Sequence, residues 1–329
     1  MRLERRPAVT IGLLLLALTV AGCSRPPTPP PAAPTAAPSA PAAAPSLPGA
    51  GVPPASGPPA AGPISKILVI AEENHTYDQV GGSPQAPYLA GLARTYGSAT
   101  RFDAGYPPSC PSLAAYLLMT SGSRYGICDD RPPEAHPLPG DNVFHQVDQA
   151  GLRWRGYADS APGRCARTDG SGGRYLVRHV PAAYYLDIRA ECARRVVPLS
   201  PTLADDAAAG SLPAFGLVSP DACHDMHGAP ACPGDQIGAG DRWLRSTLPA
   251  ILAGPDYRAG RLAVIITWDE GSASDNHIPT LVVAPAARGV STARAFSHCS
   301  TLRTVEDVLH LPLLGCAATA PSMAATFRL

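Results

Sequence analysis

The chain has 329 residues, 45% of them apolar and 16% charged, with 26 basic and 26 acidic side chains. No basic stripe and no interleaving of aromatic with basic residues occurs, which argues against nucleic acid as a partner. The length suits one large domain with a substantial core, and 39 prolines point to a stretch that takes no part in it.

The N-terminus carries Arg2, Glu4, Arg5 and Arg6, then an apolar run from Ile11 to Val20, then Ala21, Gly22 and Cys23. A basic start, a short apolar run and small residues describe a secretory signal over residues 1–22, and the run is too short to span a bilayer. Val20 to Cys23 resembles a bacterial lipobox, which predicts lipidation of Cys23 and a membrane anchor. An ordinary cleaved signal with a chance cysteine is the alternative. Removing residues 1–22 leaves a formal net charge of −2. Residues 23–63 are almost all Pro, Ala, Ser, Thr and Gly; they cannot bury a core and predict an extended tether before a domain over 64–329.

Eight cysteines follow Cys23, an even number that in an exported chain reads as four disulfides. Sequence neighbours pair as Cys110 with Cys128, Cys165 with Cys192, Cys223 with Cys232 and Cys299 with Cys316, one of 105 connectivities. A thiolate zinc site is the alternative, although no CxxC occurs.

Ile64 to Ala71 predicts a buried strand that ends in Glu72, Glu73, Asn74 and His75, with a helix near Tyr88 to Tyr96 beyond. Pro107, Pro108 and Pro111 forbid helix before Ser112, while Leu113 to Thr120 is helix-forming. Ser112 therefore sits at a helix N-terminus, as a cap or as a nucleophile whose phosphorylated form the free amides would stabilise. A surface helix over Asp141 to Ala150 and a strand over Leu152 to Tyr157 follow. Arg178 and His179 stand together in an apolar segment, where they can contact an anion. The strand Ala214 to Ser219 runs into Asp221, His224, Asp225 and His227, a cluster rich in ligand-type side chains. A helix over Gly240 to Leu252 precedes the β-branched run Ala263 to Thr267, which ends in Asp269 and Glu270. Carboxylates at the end of a buried strand are costly unless a cation sits beside them, and a solvated turn is the alternative. A second apolar run covers Ile278 to Ala284, and His298 lies just before a helix over Thr301 to Leu309. Strands alternating with helices predict an α/β domain with a mostly parallel sheet.

The motifs Glu73-Asn74-His75-Thr76-Tyr77-Asp78, Pro111-Ser112-Leu113, Arg178-His179, His224-Asp225-Met226-His227, Trp268-Asp269-Glu270, His277 to Thr280 and Ser297 to Asp307, in this order, resemble the bacterial phosphoesterase family of secreted acid phosphatases and phospholipases C. The resemblance implies an alkaline-phosphatase-like three-layer sandwich and a divalent metal ion held by Glu73, Asn74, Ser112, Asp269 and Glu270. It implies Ser112 as nucleophile, His179 and His224 at the transferring phosphoryl group, and Asp225 and His298 at the substrate; His224 is the expected proton donor to the leaving oxygen. The family's His-Pro-Ser-Leu-Pro-Asn pattern is Cys110-Pro-Ser-Leu-Ala-Ala115 here, which leaves the nucleophile intact. The family's phospholipases carry an added C-terminal region, so a metal-dependent phosphomonoesterase of acid-phosphatase type is expected, acting through phosphoserine on a phosphorylated small molecule or lipid. A phospholipase C-like phosphodiesterase and a catalytically dead envelope-binding lipoprotein are the rivals. The signal and lipobox predict export, with anchoring on the outer face of the cytoplasmic membrane or release; oligomeric state is left open.

Overall fold

Two apolar runs that end in acid form adjacent central strands of one sheet. The computed structural model describes residues 63–272 and 274–329; the expected signal, Cys23 and nearly all of the tether lie outside the described residues. The strands are β1 (Lys66–Glu72), β2 (Gly97–Ala99), β3 (Phe102–Asp103), β4 (Trp154–Ala158), β5 (Val196–Pro198), β6 (Phe215–Ser219), β7 (Leu262–Trp268), β8 (Thr280–Val283), β9 (Ser291–Thr292) and β10 (Phe296–Ser297). Eight make one sheet in the order β5-β4-β6-β1-β7-β8-β2-β9, and β3 pairs with β10 apart from it.

From β5 to β7 in the sheet all pairings are parallel, so five strands deliver their C-terminal ends to one edge. β1 and β7 pair from Lys66 with Leu262 to Glu72 with Trp268, which sets Glu73 beside Asp269. Every residue of β7 is buried, as its β-branched composition requires of a strand covered on both faces. β8 runs antiparallel to β7, because the chain between them is too short for a crossover helix. The helices form two packed groups, one with Leu113–Ser121, Val143–Gln149 and His298–Leu309, the other with Pro87–Thr95, Thr202–Ala209 and Gln236–Ala253. With the sheet these make the three layers expected.

Two helices begin earlier than their apolar periodicity indicates. Gln236–Ala253 starts before Gly240 because Asp235 accepts the Gly238 N–H at 2.6 Å. His298–Leu309 starts at His298 because Ser297 and Ser300 cap each other reciprocally. The helices Arg189–Arg195 and Thr202–Ala209 and the strand between them are short and carry no long periodic stripe. The four disulfides join the sequence neighbours, including Cys110–Cys128 beside Ser112 and Cys223–Cys232 around the loop after β6.

Glu306, in the last long helix, is fully buried. Its Oε1 accepts the Leu314 N–H at 2.9 Å, and its Oε2 has no partner. Burial pushes this carboxyl from its ordinary 4.5 up to about 8. Above the unfolded value the unfolded chain ionises while the folded chain does not, so stability falls as pH rises from about 4.5 to about 8. Glu306→Gln keeps the accepting oxygen and removes this loss. In urea titrations the variant is expected to match the parent near pH 4 and to exceed it by on the order of 2 kcal/mol near pH 8.5. Equal stability at both pH values would refute the assignment.

Candidate active site

The C-terminal ends of β6, β1 and β7 lead to Asp225, Glu73 and Asp269, and the start of the helix Leu113–Ser121 and the short helical turn Val177–His179 add Ser112, Tyr116 and His179. Glu73 is the hub. Its Oε2 accepts the Ser112 hydroxyl at 3.1 Å and its Oε1 accepts the Tyr116 hydroxyl at 2.6 Å. His179 Nε2 lies 3.2 Å from Glu73 Oε1, and its Nδ1 lies 3.6 Å from Asp225 Oδ2. The imidazole stacks on the Tyr116 ring at 5.2 Å between centroids, which fixes its plane.

Ser112 occupies the N-cap position of Leu113–Ser121, yet its hydroxyl caps nothing. Asp130 takes the Leu113 N–H at 3.0 Å, Pro111 takes that of Ala114, and the Ser112 carbonyl takes that of Ala115. This frees Ser112 Oγ from the capping role. It also means the first amides of this helix are spent and do not cradle an anion, contrary to the expectation from the sequence. The cation at hand is Arg178, whose Nε lies 3.1 Å from Asp130 Oδ2.

Asp269 is held by its neighbours. Its Oδ1 accepts the Glu270 N–H at 2.5 Å and the Asn74 N–H at 3.2 Å. Asn74 reaches that position with φ of +55°, a left-handed conformation that asparagine tolerates. Met226, between Asp225 and His227, has φ of +73° with no such excuse, a strain of about 1–3 kcal/mol that the loop retains.

Four carboxyls are crowded here with little to balance them. Burial, reinforced by Asp269 and Asp225, pushes Glu73 well above the ordinary range. Burial pushes Asp225 well up, Asp269 up to about 6 and Glu270 up to about 8. Burial drives His179 well below its ordinary value, with Arg178 and His227 adding to it. Buried like charges of this density are stable when a cation joins them. Asp225 Oδ2, Asp269 Oδ2 and His179 Nε2 are buried and make no hydrogen bond. Donor atoms of Glu73, His179 and Asp225 lie within 4.8 Å of one another. An oxygen-rich set with one imidazole suits a divalent metal ion, and orphaned oxygens facing such a set fit one.

The residues singled out from sequence fall into two classes. Glu73, Ser112, His179, Asp225 and Asp269 converge. Asn74 contributes its backbone N–H, and Glu270 Oε2 accepts the Tyr106 hydroxyl at 3.1 Å. Two histidines depart from the roles given to them. His224 has Nδ1 2.6 Å from Asp159 Oδ2 and its ring stacked on Trp243, and its donor atoms group with Asp159 and Asp221 rather than with Glu73, His179 and Asp225. His298 is fully buried and its Nε2 donates to the Asp269 carbonyl at 2.6 Å, which makes it a positioning residue rather than a substrate contact. His227, whose ring lies 6.3 Å from that of His179, is the histidine nearer the centre. Tyr116 was not foreseen; it lies one helical turn beyond Ser112, and that i, i+4 spacing was the available signal.

A serine freed at a helix start, an acid cluster at the C-terminal edge of a parallel sheet and a three-layer sandwich define a phosphoric ester hydrolase of alkaline-phosphatase-like fold. Over residues 82–312 the chain matches the model of the Phosphoesterase family, and it belongs to that family. It is 28% identical over 257 residues to a phosphatidylinositol-3-phosphatase of Mycobacterium tuberculosis, covering 78% of this chain and 80% of that protein. A protein in the alkaline phosphatase superfamily from Vibrio parahaemolyticus shares the fold with a TM-score of 0.52 at 13% identity, covering 81% of this chain and 72% of that one. The lipoteichoic acid synthase LtaP from Listeria monocytogenes does so with a TM-score of 0.51 at 12% identity, covering 75% and 72%.

Proposed function

We propose that this phosphoric ester hydrolase is a metal-dependent phosphomonoesterase of acid-phosphatase type that works through a phosphoserine at Ser112. The observation that carries the reading is a Ser112 hydroxyl spent on no cap and bonded to Glu73 at 3.1 Å inside the acid cluster. Glu73, Ser112 and Asp269, with His179 and Asp225, would hold a divalent ion, which when bound supplies positive charge that favours the serine alkoxide and the transferring phosphoryl oxygens.

Glu73 orients the serine hydroxyl and accepts its hydrogen bond, and Tyr116 holds Glu73 in turn. Ser112 Oγ attacks phosphorus in line as its proton passes along the hydrogen bond to Glu73, the bond to the ester oxygen breaks, and the leaving alkoxide takes a proton from His227. Arg178 offsets charge on the equatorial oxygens. His227, in its doubly protonated form, is the favoured proton donor: its Nδ1–H donates to the Gly228 carbonyl at 2.6 Å, which leaves the Nε2–H for the leaving oxygen. Water then cleaves the phosphoserine, and phosphate departs. The name of the mycobacterial relative makes a phosphoinositide the first lipid substrate to try. The same reading has the chain exported, which four disulfides favour, and anchored through Cys23, which rests on the lipobox-like sequence alone.

The test is a screen of phosphomonoesters and phosphodiesters on the purified protein, with and without chelator. Monoesters are expected to turn over fastest, with activity lost on chelation and regained on adding a divalent ion. Faster turnover of diesters would favour the phosphodiesterase reading, and activity indifferent to chelator would remove the metal.

A further inference from the structure

Beside the loop after β6 lies a second candidate site, a cavity of about 410 Å³ lined by Arg174, His224, Arg242, Trp243 and the Cys223–Cys232 disulfide and by none of the acid cluster. We propose that it binds a phosphate dianion, either free or as a second phosphoryl group of the substrate.

The acids around it are already committed. Asp221 Oδ2 lies 2.7 Å from Arg174 Nε and 2.6 Å from its Nη2, and also accepts the Ser160 hydroxyl. Asp221 Oδ1 accepts the Cys223 N–H at 2.9 Å. Asp159 Oδ2 takes His224 Nδ1 at 2.6 Å. Asp235, at the start of the helix that carries Arg242, is spent capping Gly238. Arg242 forms no ion pair among the described residues, and His224 Nε2 makes no hydrogen bond among them.

Asp159, Asp221 and His224 do bring donor atoms within 4.8 Å of one another, but Arg174 lies against Asp221, and its charge would oppose a cation there. An anion meets the opposite situation. Arg242, an exposed side chain, lines a cavity walled also by His224, Trp243 and a disulfide, and its guanidinium, which forms no ion pair among the described residues, can give charge-assisted bonds to an anion. His224 is adjacent in sequence to Asp225, so one loop serves both the acid cluster and this cavity. The loop therefore links a second bound phosphoryl group to the reacting centre.

The probe is inorganic phosphate, followed by tryptophan fluorescence, with Trp243→Phe to assign the signal. Trp243 is 8% exposed, while Trp154 and Trp268 are exposed by 1% and 0%. Arg242→Ala is expected to raise the phosphate Kd by about tenfold or more, and Ser112→Ala is expected to retain the response. An Arg242→Ala protein that titrates like its parent, or a signal that survives in Trp243→Phe, would overturn the inference. A kinetic arm, resting on the phosphomonoesterase reading, distinguishes the two sources. The KM for a bisphosphorylated sugar relative to that for p-nitrophenyl phosphate should rise about tenfold in Arg242→Ala if the substrate supplies the second group, and hold steady if free phosphate is the ligand. A parent that hydrolyses neither compound would defeat the functional reading and leave the phosphate titration to stand or fall alone.

Discussion

Ser112→Ala is expected to lower kcat for a phosphomonoester by roughly three to five powers of ten while the protein stays folded. The hydroxyl contributes no cap, so its removal takes away one hydrogen bond, to Glu73, and no helix-start interaction. Tyr116 remains on the other oxygen of Glu73, and Asp130 remains on the Leu113 amide. The four other residues that would hold the metal stay in place, so its loss should be small compared with that in Asp269→Asn, and the melting temperature should change by a few degrees at most, since a single such bond is worth about 1 kcal/mol. Trapping a phosphoserine from the parent by acid quench, and failing to trap it from the variant, gives a direct reading by mass spectrometry. A variant that turns over near the parent rate would remove the serine, and attack by a water molecule would become the leading account.

Asp269→Asn tests the other half of the site. Asparagine keeps an oxygen to accept the Asn74 and Glu270 amides, so the turn after β7 survives. What changes is Oδ2, a buried atom with no partner, which becomes an amide and loses its share of the charge. Affinity for a divalent ion is expected to fall by about a hundredfold or more, with activity falling alongside it. Excess metal should restore part of the rate, which it cannot do for Ser112→Ala. Unchanged metal stoichiometry by elemental analysis would count against Asp269 as a ligand.

What could be read from residues alone was the part that strand chemistry dictates. Runs such as Ala263 to Thr267 admit few structures other than a buried strand, and three of them ending in ligand-type residues already placed the acids at one sheet edge. The family resemblance then ordered these pieces around Ser112. Less legible was anything decided by side-chain direction. Whether Ser112 caps its own helix depends on Asp130, a residue from a later loop that takes the capping role. Whether His224 or His227 faces the centre depends on the turn at Met226, whose positive φ no propensity for methionine predicts. His298 lay close to the right place, but the reciprocal cap that makes it the first helical residue, and so turns it toward the Asp269 carbonyl, involves two serines easily passed over.

The disulfide-closed loop after β6 has a further consequence. Successive residues serve different clients: His224 faces the second cavity and Asp225 the acid cluster, with the backbone pinned at Cys223 and Cys232. A substitution on this loop costs one side chain, whereas inserting or deleting one residue would exchange which side chain meets which client. The length of the segment is thus under tighter constraint than its composition, and natural variation along it should take the form of replacements rather than gaps.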